Sequence, residues 1–115
     1  MADCLFCRVV AGEIPAKSVR RSADAVAFSD INPQAPVHVL VIPTAHISAV
    51  RSAIGTDGER VLGRTLMFAA EVARELGLDG DGYRIVTNTG PDAGQSVDHL
   101  HFHVLGGRKL GWPPG

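Results

Sequence analysis

Three of the chain's five histidines alternate within one short stretch, HLHFHVLGG, at residues 99–107. Successive side chains of a strand point to opposite faces, so His99, His101 and His103 would share one face, with about 6.6 Å between neighbouring Cα atoms. The opposite face would carry Leu100, Phe102 and Val104. An apolar back face of this kind is normally buried, which predicts that the histidine face lines a cleft.

The residues alone leave three interpretations of these histidines open. Catalytic zinc is often bound by three imidazoles and a water, so a metal site is one. A second is a nucleophile: neutral imidazole attacks phosphorus near pH 7 because its unperturbed pKa is about 6.5. The third is a surface strand that carries histidines without a shared function.

The loop before the histidines favours an anionic ligand. The stretch NTGPDAGQS, residues 88–96, contains two glycines, a glutamine and a serine. Flexible backbone with free N–H groups is suited to binding phosphate. The stretch is neither a Walker A loop nor a G-x-G-x-x-G motif, so its signal depends on the histidines beside it.

The two cysteines, Cys4 and Cys7, have the spacing of half a zinc site. They are too close together for a disulfide between them to stabilise the fold, and in a reducing compartment they would be thiols or metal ligands. The alternative is two reduced thiols on a short helix. A thioredoxin-type redox motif is not favoured, because no strand precedes the pair.

Length and charge limit the classes of protein that the chain can be. Its 115 residues predict one domain, 1–115, with 45% hydrophobic and 20% charged residues. The net charge is −1, so no basic surface for nucleic acid and no polybasic membrane patch is expected. The N-terminus has no apolar signal region, and no apolar run is long enough for a bilayer, which predicts a cytoplasmic protein.

Periodicity predicts one long helix over residues 57–76. Thr56 and Glu59 have the spacing of a capping box, and Gly77 is a natural residue to end the helix. The apolar face would consist of Leu62, Leu66, Ala69, Ala73 and Leu76.

The remaining pattern predicts short elements around an antiparallel sheet. Strands are expected at 25–29, 37–43, 83–88 and 99–105, and a short helix at 3–11. The strand at 37–43 is apolar on both faces, which is typical of a central position in a sheet. Proline-containing stretches at 31–36 and 112–115 must be turns or extended chain. The predicted fold class is α+β.

Several blocks of the chain, in order, resemble the histidine-triad superfamily. The stretch HLHFHVL at 99–105 is similar to that family's His-x-His-x-His signature. FSDINPQAPVHVLVIPTAHI at 28–47 resembles its nucleotide-pocket segment, GQSVDHLHFHVLGGR at 94–108 its active-site segment, and WPPG at 112–115 the end of the Hint branch, the histidine-triad nucleotide-binding proteins. The resemblance covers nearly the whole chain.

The resemblance implies a HIT-like fold, a homodimer whose sheet continues across the interface, and hydrolysis through a nucleotidyl-histidine. Hint-branch proteins cleave the P–N bond of adenosine 5′-phosphoramidates. By position, His101 would be the nucleophile, with its other ring nitrogen held by the carbonyl of His99. His103 would contact the phosphate and, with Ser96 near the leaving group, help to protonate the amine. His38 corresponds to a fourth histidine of the pocket.

The resemblance also implies a site for an AMP-type purine nucleotide. The expected phosphate loop is Asn88, Gly94, Gln95 and Ser96, with His101 and His103. Asp30 would accept the ribose hydroxyls, although an aspartate before Ile-Asn-Pro is also typical of a turn. The expected base pocket is Leu5, Phe6, Val9, Phe28, Ile31 and Leu40. Trp112 would reach the site of a partner subunit.

Several branches of the superfamily hold a structural zinc with two N-terminal cysteines, a histidine after the pocket strand and the first histidine of the triad. The matching positions are Cys4, Cys7, His46 and His99. A closed site with four protein ligands would be structural rather than catalytic. No organic cofactor is expected.

Two other functions remain compatible with these residues. One is a dinucleoside polyphosphate hydrolase or nucleotidyl transferase on the same scaffold, although the stretch VLGGRKLGWPPG favours the Hint branch. The other is a nucleotide-sensing or partner-binding module whose hydrolysis is incidental.

Overall fold

The fold is an antiparallel sheet with one long and one short α-helix, which confirms the predicted α+β class. The computed structural model describes residues 4–115. The five strands lie in the order β1-β2-β3-β5-β4, with every neighbouring pair antiparallel. The elements are α1 (Leu5–Val10), β1 (Ser18–Arg21), β2 (Ala25–Ser29), β3 (Val37–Pro43), a 3-10 helix (Val50–Ala53), α2 (Gly58–Glu75), β4 (Tyr83–Val86) and β5 (Phe102–Gly106).

The sheet has a buried cluster on each face. Alternate residues of β2 and β3 contribute to opposite clusters, which explains why β3 is apolar at almost every position. One cluster joins the sheet to α2 and contains Ala27, Val39, Val41, Leu100, Phe102 and Val104; the other joins it to α1 and contains Phe6, Val9, Val26, Phe28, Leu40 and Ile42. Leu100, Phe102 and Val104 therefore share the α2 side, as predicted, and the alternate histidines lie toward α1.

The buried face of α2 is rotated from the predicted one. Its buried residues are Thr65, Phe68, Ala69, Val72 and Ala73. Leu62 and Leu66 are only partly buried at the edge of the cluster, and Leu76 is exposed. The prediction gave weight to the leucines, but Phe68 and Val72 occupy the centre of the contact with the sheet.

The two ends of α2 differ in how well they were predicted. The capping box is wrong: the Thr56 hydroxyl accepts from Gly58 N–H (2.9 Å), and Glu59 Oε2 accepts from Gly55 N–H (2.7 Å). The C-terminal prediction is confirmed. Gly77, at φ 77°, donates its N–H to the Arg74 carbonyl, and Leu78 N–H donates to the Ala73 carbonyl, each at 3.0 Å.

The histidine strand begins later than predicted, at Phe102 rather than His99. The backbone before it has partners outside the sheet ladder: Leu100 N–H donates to the Ile47 carbonyl (2.6 Å), and the His101 carbonyl accepts from the Thr87 hydroxyl (3.0 Å). Residues 99–101 therefore lie outside the strand.

Other bounds also differ from the prediction. The strand expected at 83–88 ends at Val86, and the helix expected at 3–11 spans Leu5–Val10, with residue 3 outside the described residues. Strand β1 was not predicted, because its sequence, SVRR, has no clear alternation. Between residues 4 and 115, no helix is long and apolar enough to cross a membrane.

Candidate functional site

The His101 ring has one nitrogen, Nδ1, in a hydrogen bond, and its other nitrogen, Nε2, is free. Its Nδ1 donates to the His99 carbonyl at 2.8 Å, as the sequence predicted. A neutral imidazole carries one ring proton, so this bond leaves a lone pair on Nε2. The ring is buried, and the ring of Phe6 meets it edge-on with centroids 5.1 Å apart. The hydroxyl of Thr87 adds a bond to the His101 carbonyl that sequence reasoning missed.

A second hydrogen-bonded chain sets the tautomers of His38 and His103. The backbone N–H of Gln34 donates to His38 Nδ1 at 3.0 Å, so the ring proton of neutral His38 lies on Nε2. That nitrogen lies 2.9 Å from His103 Nδ1 and donates to it. The proton of neutral His103 is therefore on Nε2. Gln34 could not be identified from residue types, because it contributes a main-chain N–H.

His103 is neutral at ordinary pH. Burial, with smaller contributions from the nearby rings of His101 and His38, lowers the pKa of His103 to about 4, against an opposing effect of Asp30. The ring of His103 lies 5.2 Å from that of His101, centroid to centroid. Without ligand, His103 is thus a neutral hydrogen-bond donor beside the candidate nucleophile.

Asp30 has two contacts that use different oxygens. Its Oδ1 accepts from Asn32 N–H at 2.8 Å, which is the turn that the sequence suggested as an alternative role. Its Oδ2 lies 3.4 Å from His38 Nε2. The carboxylate is partly exposed and keeps further lone pairs for a ligand, so the ribose role stays a prediction.

The residues predicted for the base pocket divide into a wall and a rim. Phe6, Val9, Phe28 and Leu40 are 6–8% exposed and belong to the cluster between α1 and the sheet. Leu5 is 45% exposed and Ile31 is fully exposed. Any purine contact in this region would therefore be made with the rim and with the small exposed part of the wall residues. Trp112 is also exposed, with the guanidinium of Arg84 5.9 Å from its ring centre.

The loop at 88–96 is closed by its own backbone and by Gln95. The Gln95 amide nitrogen donates to the carbonyls of Ser48 (2.8 Å) and Val97 (3.1 Å), and its oxygen accepts from Gly90 N–H (2.9 Å). Gly94 N–H donates to the Pro91 carbonyl, and Gln95 N–H to that of Gly90. The structure thus gives Gln95 a positioning task that the sequence did not suggest.

Two polar side chains of this loop are available to a ligand. Within residues 4–115, neither the Asn88 amide nor the Ser96 hydroxyl has a hydrogen-bond partner. The predicted free N–H groups at Gly94 and Gln95 are already used. Of the groups predicted for the phosphate, the side chains of Asn88 and Ser96 therefore remain available to an anion.

Cys4, Cys7, His46 and His99 converge on one point, with their ligand atoms all within 4.8 Å of one another. The two histidine Nδ1 atoms are 3.2 Å apart; Cys7 Sγ lies 3.3 Å from His46 Nδ1 and 3.5 Å from His99 Nδ1; and Cys4 Sγ lies 3.4 Å from His99 Nδ1. Tetrahedral zinc, with Zn–S about 2.3 Å and Zn–N about 2.0–2.1 Å, would place its ligand atoms roughly 3.3–3.8 Å apart. The donor set and its spacing fit zinc.

The ring of His99 has a defined orientation toward this cluster. Its Nε2 donates to the Pro43 carbonyl at 3.0 Å, which leaves a lone pair on Nδ1 facing the two sulfurs. His99 is fully buried, and burial lowers its pKa, so the ring is neutral and able to act as a ligand. Burial also raises the pKa of the Cys7 thiol, with a further contribution from Cys4.

The low pKa of His103 predicts a loss of stability on acidification. The unfolded chain takes up this proton near pH 6.5 and the folded chain near pH 4, so between these values the unfolded state binds more protons. Stability is present above about pH 6.5 and falls as the pH drops toward about 4. Urea unfolding at about pH 7.5 and about pH 5 measures the loss.

The control is His103→Asn, whose side-chain oxygen can still accept from His38 but does not titrate. We expect this variant to lose less free energy of unfolding than the wild type between the two pH values. An equal loss in both proteins would contradict the assignment to His103.

Comparison with known proteins places this geometry in a family. The profile of the HIT domain matches residues 11–110. An uncharacterized HIT-like protein of Synechocystis is 47% identical over 113 residues, which cover 98% of this chain and 97% of the relative. The chain is similar to the crystal structure of a HIT family hydrolase from Legionella pneumophila, with TM-score 0.93 and 45% identity over 98% of this chain and 100% of that one.

A histidine triad nucleotide-binding protein from Candida albicans has TM-score 0.81 and 32% identity, covering 96% of this chain and 83% of that one. The match of the domain profile and of the relatives extends over almost the entire chain. The chain therefore belongs to the HIT domain family.

Proposed function

We propose that this protein is a nucleotide-binding hydrolase that cleaves the P–N bond of adenosine 5′-phosphoramidates through a nucleotidyl-histidine. The observation that carries the proposal is the free Nε2 lone pair of His101, held by the bond from its Nδ1 to the His99 carbonyl. The similarity to a protein named a HIT family hydrolase and to one named a nucleotide-binding protein supports the same class.

In the first step, His101 Nε2 forms a bond to the α-phosphorus, and the P–N bond breaks with its electron pair on the amine nitrogen. The amine takes up one proton as it leaves. His101 becomes a cationic phosphoryl-imidazolium, and its Nδ1–H still faces the His99 carbonyl oxygen, which stabilises the charge. Water then displaces His101 from phosphorus and releases AMP and one proton, which balances the proton taken by the amine.

His103 and Ser96 are the candidate groups for the phosphoryl oxygens and the leaving nitrogen. The Nε2–H of neutral His103 can donate to a phosphoryl oxygen, and the negative charge of a bound phosphate raises the pKa of an adjacent imidazole. His103 can therefore become the proton donor in the complex although it is neutral without ligand. The Ser96 hydroxyl, which has no partner within residues 4–115, can bridge to the amine.

Removing the nucleophile should abolish turnover. His101→Ala and His101→Gly are expected to lower hydrolysis of an adenosine phosphoramidate by about 10³-fold or more. Mass spectrometry of acid-quenched protein should detect an AMP adduct on the wild type and none on these variants. The control His103→Asn keeps the nucleophile, so it should still form the adduct while turning over more slowly.

Three outcomes would overturn this assignment. Full turnover by His101→Ala would show that His101 is not the nucleophile. Faster cleavage of diadenosine polyphosphates than of phosphoramidates would favour the polyphosphate hydrolase. Tight AMP binding with no turnover of either substrate would favour a nucleotide-sensing module.

We further propose that Cys4, Cys7, His46 and His99 bind one structural zinc ion. The fit of the four ligand atoms to tetrahedral spacing supports this, as does the oriented lone pair of His99. Zinc bound by four protein ligands has no open position, so its contribution is to hold the N-terminal segment against the sheet. That segment includes Phe6, which contacts both His99 and His101.

Metal content and stability test the zinc proposal together. We expect about one zinc per chain in purified protein and a lower thermal midpoint after chelation, because metal binding contributes to folding free energy. Cys7→Ser should carry less zinc, start from a lower midpoint and respond less to the chelator. Trace metal in the wild type, with no change on chelation, would contradict the proposal.

We also propose a homodimer that continues the sheet at β4. Of the two edge strands, β1 contains a register shift between Ser18 and Arg20 and ends at the exposed Arg21, features that discourage pairing. Strand β4 is half-buried along its length and regular in register. Sedimentation should therefore give about twice the chain mass of 12.1 kDa, and a monomer at micromolar concentration would contradict it.

A further inference from the structure

The guanidinium of Arg51 lies directly over the candidate phosphate loop. A methyl group placed on Gly90 would be 3.3 Å from Arg51 Nη1 and 3.9 Å from its Cζ. Gly90 is buried and has φ 83°, so the loop backbone turns sharply beneath the guanidinium. Arg51 itself is exposed. The arginine therefore covers the loop on one side and faces solvent on the other.

The backbone before Arg51 is bonded to the loop at Gln95 and to the chain just after the loop at Leu100. The Ile47 carbonyl accepts from Leu100 N–H at 2.6 Å, and the Ser48 carbonyl accepts from the Gln95 amide at 2.8 Å. Ala49 and Ala53 are buried on either side of Arg51. The position of the arginine relative to the loop is thus set by the fold rather than by a mobile chain.

The positive charge of Arg51 is not used within the described residues. Between residues 4 and 115, no ion pair or hydrogen bond involves its guanidinium. Four other arginines form ion pairs: Arg20 with Glu71 and Glu75, Arg60 with Asp57, Arg64 with Asp24, and Arg74 with Asp79. An exposed guanidinium beside a phosphate-binding loop can receive a further anion.

Arg51 lies over the loop that also carries Ser96, the residue proposed to contact the leaving nitrogen. The Thr87 hydroxyl contacts the His101 carbonyl, and Gly90 follows Thr87 by three residues, a span of at most about 10 Å. Ser96 and Ser48, which precedes Arg51 by three residues, line a cavity of about 420 Å³. A leaving group in contact with Ser96 would therefore lie beside the loop that Arg51 covers at Gly90.

We propose that Arg51 is a specificity-determining residue that binds an anionic group, a carboxylate or a phosphate, on the leaving part of the substrate. The planar guanidinium offers paired donors that match the geometry of either group. This inference rests on the proposed hydrolase function. It specifies that the preferred substrates carry a negative charge on the leaving group. Asp98 also lines the cavity, so discrimination would depend on contact with Arg51 rather than on a uniformly positive surface.

A matched pair of substrates isolates this contact. Adenosine 5′-phosphoramidates of glycine and of glycinamide share the same P–N bond and differ in the charge of the leaving group. We expect the ratio of kcat/KM, glycine to glycinamide, to fall about three- to tenfold in Arg51→Gln. Arg51→Lys, which keeps the charge but loses the paired donors, should give an intermediate ratio.

Arg64→Gln is the control for net charge, because Arg64 is an exposed arginine of α2 that pairs with Asp24. Its ratio should match that of the wild type. The same ratio in wild type and Arg51→Gln would overturn the inference while leaving the hydrolase intact. If the ratio fell equally in Arg64→Gln, long-range charge rather than a contact with Arg51 would explain the preference. If Arg51→Gln lowered kcat/KM equally for both substrates, Arg51 would have only a structural role over Gly90.

If the wild type cleaves neither substrate, the proposed hydrolase function fails. The role of Arg51 can then be tested separately by measuring nucleotide binding. Calorimetry would compare ADP with AMP, since the β-phosphate of ADP occupies the leaving-group position. A preference for ADP that weakens about three- to tenfold in Arg51→Gln would support the anion contact. No preference for ADP in the wild type would overturn it.

Discussion

The hydrogen bond from His101 Nδ1 to the His99 carbonyl is the contact on which the rest of the site depends. It determines which ring nitrogen of His101 carries the proton and so which one can attack. The position of this carbonyl depends on the side chain of the same residue. The His99 ring is buried, donates to the Pro43 carbonyl and faces the two cysteines. One residue thus contributes its main chain to the candidate nucleophile and its side chain to the candidate metal cluster.

Burying several imidazoles in a small domain is costly unless their nitrogens are satisfied, and the sheet solves this by pairing them. His38 and His103 lie on neighbouring central strands, β3 and β5, and bond to each other. The backbone N–H of Gln34 completes the chain at His38. Within the described residues, no side-chain nitrogen or oxygen atom that is itself shielded from solvent lacks a partner. The same bonds that permit burial also set the tautomers that the proposed chemistry needs.

Sequence patterns predicted the elements whose burial is decided locally. The bounds of β2 and β3, the end of α2 at Gly77 and the shared face of Leu100, Phe102 and Val104 all follow from alternation or turn chemistry, and the structure confirms them. The cysteine and histidine positions implied by the family resemblance also converge in space.

The features that sequence missed depend on contacts between distant segments. The rotation of α2 is decided by how Phe68 and Val72 fit the sheet, and the late start of β5 by bonds to Ile47 and Thr87. Gln95 resembles a phosphate ligand in sequence, but its amide is used to tie the loop to Ser48. Main-chain partners such as Gln34 N–H leave no trace in residue type, so no pattern could have identified them.

Because His103 is neutral before a ligand binds, the site can be stable when empty and still supply an acid during the proposed reaction. A permanently charged His103 would have to be buried as an imidazolium beside two other rings, and its low pKa reflects the cost of that state. An arriving phosphate supplies the negative charge that makes protonation favourable at the same place. The folded protein therefore avoids the cost of the buried charge when the site is empty, and the substrate itself brings the electrostatic partner that an acid catalyst requires.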